Sequence, residues 1–217
     1  MSWESSATYY EIINRYSNSI LGSQNNAKSI MVTVNFDEIE KLQHADKWEE
    51  ATDILIKACQ NLQKGGADFI VICTNTMHKL LPQISLHVEL PFLHIAEATA
   101  KEINANNHKK VLLLGTKFTM QEDFYKQKIA EAGIEVVVPN IEDMELVHKV
   151  IYGELCLGSV KDSSKDAFLK IIKRFKDIDG VILGCTEIGS LIKQSDLDIK
   201  VYDTTIIHAK EAVRMAL

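Results

Sequence analysis

Arginine and proline are scarce in this chain, with three of each in 217 residues. Arg15, Arg174 and Arg214 lie far apart, the lysines are scattered, and the net charge is −6. A binder of nucleic acid or of anionic membrane is therefore not expected, because both need a concentrated basic face. No apolar run approaches the ~18 residues of a membrane span. The opening Ser2, Trp3 and Glu4 form neither the basic start nor the apolar stretch of a secretory leader. Cysteine is sparse as well. Cys59, Cys73, Cys156 and Cys185 show no CxxC spacing, and the seven histidines make no HxxxH pair. A disulfide framework and a zinc site are both unexpected. The reading is a cytoplasmic chain with thiols, no metal, and neither nucleic acid nor membrane as partner.

What is present is enough apolar material for a sizeable core: 46% hydrophobic against 25% charged residues. Short runs rich in β-branched residues read as buried strands at 29–34, 68–73, 110–115, 134–138, 180–184 and 199–202. Segments of helical period lie between them at 7–21, 48–64, 119–132, 166–175 and 204–216. The first places Tyr10, Ile13, Tyr16 and Ile20 on one stripe, and Gly22 closes it. Strands without alternation, separated by amphipathic helices, indicate an α/β fold with parallel sheet covered on both faces. The two halves also resemble each other. ADFIVICT (67–74) is matched by IDGVILGCT (178–186), and PFLHIAEATAKE (91–102) runs parallel to IKVYDTTIIHAKE (199–211). Two similar lobes follow, each presenting Cys-Thr at the C-terminal end of a strand, where open α/β sheets bind ligands. Their expected bounds are 1–96 plus 203–217 for the first and 97–202 for the second.

Cys73 leads into Thr74, Asn75 and Thr76, and Cys185 leads into Thr186 and Glu187. Both thiols are expected where a strand gives way to a helix. Unpaired N–H groups there favour thiolate and can cradle a carboxylate. Two such junctions facing each other suit racemisation, which needs a base on one face of a carbon and an acid on the other. A single cysteine at a strand end is usually a small core hydrophobe, and the matched pair reverses that balance. Cys59 and Cys156 fall inside helical segments and read as packing, as do Trp3 and Trp48. His78 reads equally as a tuning group or a helix-surface residue, and His208 as structural. The threonines and Asn75 also have a plainer use as helix caps, and Glu97 and Glu187 as complements of helix N-termini.

These residues resemble the aspartate/glutamate racemase family of cofactor-independent enzymes. The motifs are MSWES (1–5), CTNTMH (73–78), GT (115–116), IYGELCLG (151–158), GCTE (184–187) and DTTIIHA (203–209), in family order over essentially the whole chain. The resemblance implies two pseudo-symmetric α/β lobes with the site in the cleft between them. It implies catalysis by Cys73 and Cys185 without a cofactor, and Thr74, Asn75, Thr76, Thr116 and Thr186 holding the substrate's α-carboxylate and amino group. Met1 and Asn35 are expected at the side-chain end of the substrate, aspartate is the first expected substrate and glutamate or a broader range the second, and a homodimer is the expected state. Family members usually begin with a strand and a Gly-Gly turn ahead of Met-Ser-Trp. The present chain starts at Met1, so that N-terminal strand is expected to be missing from the first sheet, with poor stability as the result. Hydantoin racemases, arylmalonate decarboxylases and maleate isomerases share the architecture, and a member that binds a dicarboxylate without turnover is a further reading. The SWES start and the NTMH extension favour the amino-acid racemases.

Overall fold

The computed structural model describes residues 2–217. The chain opens with α1 (Trp3–Leu21), α2 (Phe36–His44) and α3 (Trp48–Lys64). Strand β1 (Ile70–Val71) follows, then a 3-10 turn (Thr76–Leu80) running into α4 (Leu81–Ile84), strand β2 (Phe92–Leu93) and α5 (Ile95–Ala105). The second half holds β3 (Lys110–Gly115), α6 (Lys117–Gln121), α7 (Asp123–Glu131), β4 (Glu135–Val137) and α8 (Ile141–Gly153). It ends with α9 (Asp162–Ile172), β5 (Gly180–Gly184), α10 (Ile188–Leu191), β6 (Lys200–Asp203) and α11 (Thr204–Ala216).

All strand pairing is parallel. One sheet is β1-β2 and the other runs β4-β3-β5-β6. Every residue of β5, and all of β3 after Lys110, is buried, which is why those two strands read as continuous apolar runs. The buried apolar side chains form two cores. One gathers Ile39, Leu55, Ile70, Met77 and Ile84, with Cys59 packed among them. The other runs from Ile95 through Leu113 and Ile182 to Tyr202. Helix α11 packs against both α1 and α5. The internal repeat is visible in the wiring: β1 pairs with β2 as β5 pairs with β6. Each second strand leads directly into the next helix through a capping residue, His94 just after β2 for α5 and Asp203 at the end of β6 for α11.

Three expectations from the sequence differ from the fold. Residues 29–34 form no strand: Ile30, Met31 and Val32 are exposed, and no ladder partner lies beside them among the described residues. β-branched composition favours a pleated surface, but a strand exists only through its neighbour's hydrogen bonds. The α1 stripe also differs, because the helix buries Ser5, Tyr9 and Ser17 and leaves Tyr10 and Ile20 exposed. The helix expected at 119–132 is two helices, broken where Glu122 turns to extended backbone.

A buried set of rings fixes the segment that follows β1. His78 donates from Nδ1 to the Thr74 carbonyl (2.8 Å) and accepts from the Ile95 N–H at Nε2 (3.2 Å). His208 donates from Nε2 to the Leu93 carbonyl (2.9 Å) and accepts the Tyr9 hydroxyl at Nδ1 (2.8 Å). His94 accepts from the Ala96 N–H (3.1 Å), and its ring centroid lies 4.7 Å from that of His78. Burial drives all three far down, His78 and His208 to about 3 and His94 to about 4, so all are neutral.

An unfolded chain takes up protons at these histidines below the ordinary value of 6.5, and the native fold does so only near 3 to 4. Stability is therefore complete above pH 6.5 and is lost as pH falls from there toward 4. Each histidine contributes a slope of up to about 1.4 kcal/mol per pH unit. Urea melts at pH 7.5, 6 and 5 are expected to show a steep fall in midpoint over this window. A midpoint unchanged from pH 7.5 to 5 contradicts the buried neutral assignment.

Candidate active site

Strands β3 and β5 approach so closely at their C-terminal ends that only glycine fits there. Gly115 and Gly184 are register partners. A Cβ on Gly115 would meet the Gly184 carbonyl oxygen at 2.9 Å, and one on Gly184 would meet Leu113 Cδ1 at 2.7 Å. Thr116 and Cys185 each follow directly, so this close pairing sets the two side by side in sequence register. On the other lobe β1 ends at Val71, and the chain turns through Cys73, Thr74 and Asn75. The Ser5 hydroxyl donates to the Cys73 carbonyl (2.9 Å), which ties this turn to α1.

The two turns meet through hydroxyl and amide groups. Asn75 donates from Nδ2 to Thr204 Oγ1 (3.1 Å), and Thr204 donates to the Leu183 carbonyl (2.8 Å). Thr76, Thr116 and Thr119 form a triangle of hydroxyls with sides of 2.9, 3.1 and 3.3 Å. Asn75 is 2% exposed, and its Oδ1 has no hydrogen-bond partner among the described residues. A buried acceptor left in that state is destabilising, which marks it as an atom held ready for a donor.

Glu187 lies at the centre of the second turn. Its Oε1 accepts from the Ser2 hydroxyl (2.6 Å), and its Oε2 accepts from Thr186 (2.7 Å) and from the Cys185 thiol (3.0 Å). Burial opposes its charge, yet the positive charge of the N-terminus, with these donors, holds its carboxyl below the usual range. The thiols go the other way. Burial pushes Cys73 up to about 11, and burial with the neighbouring Glu187 carboxylate pushes Cys185 well above its ordinary value. Helix termini were the expected cause of easy ionisation, but the helical stretches that follow are a 3-10 turn and the four-residue α10. Desolvation outweighs dipoles this short.

A cleft of ≈ 20 Å³ opens between the turns. Thr74, Asn75, Thr76, Thr116, Cys185 and Glu187 line one part of it. Phe36 and Gln43 of α2, Ile151 and Tyr152 of α8, and Cys156 line the rest. Phe36 stacks on Tyr152 with centroids 6.4 Å apart, and the Tyr152 hydroxyl donates to Gln43 Oε1 (3.0 Å). That volume holds about one water.

The expected site residues therefore divide. Thr74, Asn75, Thr76, Thr116 and Cys185 wall the cleft, and Thr186 reaches it through Glu187. Cys73 adjoins wall residue Thr74, with its Sγ 3.8 Å from the Val71 carbonyl. Asn35 is exposed at the start of α2, and its neighbour Phe36 supplies the wall instead. Met1 lies outside the described residues. Sequence reasoning missed Ser2, Gln43, Tyr152 and the wall position of Cys156. It also placed Trp3 in packing, and Trp3 is 69% exposed. The capping Ser2 beside a half-buried Glu187 has no local signature, and Gln43 and Tyr152 meet only through the fold.

The profile of the family described as Asp/Glu/Hydantoin racemase matches residues 1–212. A candidate Asp/Glu racemase from Yersinia pestis is 43% identical, with a TM-score of 0.90 over 99% of this chain and 95% of that one. An aspartate racemase homologue from Pyrococcus horikoshii OT3 is 36% identical, with a TM-score of 0.84 over 98% and 94%. The broad specificity amino-acid racemase RacX of Bacillus subtilis is 27% identical over 76% of this chain and 72% of its own length.

A thiol with its pKa near 11 is a small thiolate fraction at neutral pH, and that fraction grows with pH. Alkylation of Cys73 by iodoacetamide, followed by peptide mass spectrometry, is expected to accelerate roughly tenfold per pH unit between about 7 and 10. A rate that levels off above pH 8 contradicts the raised value.

Proposed function

Because the chain belongs to the Asp/Glu/Hydantoin racemase family, we propose that it interconverts the enantiomers of an α-amino acid by passing the α-proton between Cys185 and Cys73, with no cofactor. The observation that carries this reading is the convergence of the two Cys-Thr turns on one cleft. In one direction Glu187 Oε2 takes the proton of Cys185 across their 3.0 Å contact. The thiolate removes the α-hydrogen, and the electron pair left on the α-carbon spreads into the α-carboxylate. The hydroxyls of Thr76, Thr116 and Thr186 hold that carboxylate, and preorganised donors stabilise the charge as it develops. Asn75 Oδ1 accepts from the α-ammonium. The Cys73 thiol then gives its proton to the opposite face. The cycle closes when the proton held by Glu187 is returned to the Cys73 thiolate through solvent. The reverse direction starts from that thiolate.

Aspartate leads the expected substrates, with glutamate or a broader range next. The names borne by the relatives support all three. The lobes divide as 1–96 with 203–217, and 97–202, a division supported by the two separate cores. A second copy of the chain covers the side of α1 that carries Trp3, Tyr10 and Leu21. These residues are spaced seven and eleven apart on one side of the helix and are 69, 56 and 46% exposed. No helix among the described residues is long and apolar enough to cross a membrane.

Amino acids incubated in heavy water, with the α-proton followed by NMR, test the mechanism. Wild-type protein is expected to exchange both enantiomers. Cys73→Ala and Cys185→Ala are each expected to lose racemisation by about 10³-fold or more, and Glu187→Gln by roughly 10²-fold. Racemisation that survives either cysteine substitution rules out the two-thiol route.

A further inference from the structure

Thr116 joins β3 to α6 and lines the cleft. Its peptide link to Lys117 is held at both ends. The Thr116 carbonyl accepts from the Met120 N–H (3.0 Å), the first bond of α6. The Lys117 N–H has no partner within its own helix. It donates instead to Nδ1 of His148 on α8 (3.1 Å). The Thr116 side chain caps the same turn, accepting from the Thr119 N–H (3.3 Å), and joins the triangle of hydroxyls with Thr76 and Thr119. The direction of this one peptide therefore sets where the Thr116 hydroxyl points.

An imidazole that accepts at Nδ1 carries its proton on Nε2. A second proton would sit on Nδ1, directly against the Lys117 N–H, and the bond would be lost. The ring is half-buried. His44 of α2 lies edge-on to it with centroids 5.9 Å apart, Tyr152 of α8 lies at 4.8 Å, and Phe118 of α6 at 6.0 Å. The charged groups that act here are Lys117, paired with Glu145 (3.1 Å), and Glu40, which stands 3.7 Å from His44. Burial first, then His44 and Lys117, lower the pKa of His148 from 6.5, and Glu145 opposes them. At neutral pH the ring is uncharged and the bond is intact.

We infer that His148 is a positioning residue: its neutral ring holds the Lys117 N–H and so fixes the Thr116 hydroxyl where the substrate's α-carboxylate is bound. The inference rests on the racemase reading for that carboxylate. His148 does not line the cleft and acts through Thr116.

Asparagine places an acceptor where histidine places Nδ1 and does not titrate, whereas leucine fills the space without an acceptor. Exchange of the α-proton of aspartate and glutamate in heavy water, measured from pH 5 to 8.5, gives kcat/KM for wild type, His148→Asn and His148→Leu. His148→Leu is expected to lose about tenfold at pH 7.5, and His148→Asn to recover most of that loss. Wild-type kcat/KM is expected to fall on the acid side of pH 6.5, and His148→Asn to lack that fall. His78, His94 and His208 titrate alike in both proteins, so the difference between the two profiles belongs to His148. Profiles of the same shape, or an asparagine variant as slow as the leucine one, overturn the inference and leave the racemase reading intact. Exchange absent from the wild type counts against the racemase reading, and NMR of the unsubstituted chain in water then decides the coupling. The Lys117 and Thr119 amide signals are expected to shift with the His148 ring signals as pH falls from 7.5 to 5. Amide signals that stay still over this range overturn the inference.

Discussion

The hydrogen-bond relay from Asn75 through Thr204 to the Leu183 carbonyl is the constraint on which the site depends. It joins the turn after β1 to the strand that delivers Cys185, and it does so with groups that are almost fully buried. Buried polar bonds of this kind are costly to leave half-made, so the turns keep one relative placement. The histidine rings act on the same turn from behind. His78 holds the Thr74 carbonyl, and His208 reaches Leu93 at the end of β2. Movement of either Cys-Thr turn therefore disturbs bonds in both lobes.

Burial gives the site its electrical character. It raises the thiols and silences the histidines, and Glu187 stays ionised against it through the positive charge of the N-terminus and three hydroxyl or thiol donors. A carboxylate held below its usual range is a weak base beside a thiol raised above its own, so at rest the proton stays on Cys185. Proton movement between it and a thiol 3.0 Å away needs little rearrangement.

The sequence was most legible where one local rule sufficed. β3 and β5 announce themselves as unbroken apolar runs, α3 ends at Gly65 as its spacing predicts, and the paired Cys-Thr junctions lie at strand ends in both halves. Legibility failed where long-range neighbours decide. The run at 29–34 has the composition of a strand and no ladder to join. Tyr10 and Ile20 have the spacing of a buried stripe and face outward, because α1 meets α11 along a face built from Ser5, Tyr9 and Ser17. The thiol ionisation was misjudged because a helix terminus can be guessed from sequence and the depth of a side chain cannot. Gln43 and Tyr152 are 109 residues apart, and no window on the chain joins them.

The stack of Phe36 on Tyr152 gives the cleft a clock as well as a wall. Under the proposed reaction α2 would leave α8 once to admit an amino acid and once to release its mirror image. Helix displacements of that kind run on microsecond to millisecond timescales. The apparent affinity for any amino acid is also scaled down by the fraction of molecules standing open. Residues that never touch the reacting carbon, such as His44 and His148 in the ring cluster around Tyr152, thereby gain a hold over throughput. Evolution could tune the speed of this chain at its gate without altering a single group at the reacting centre.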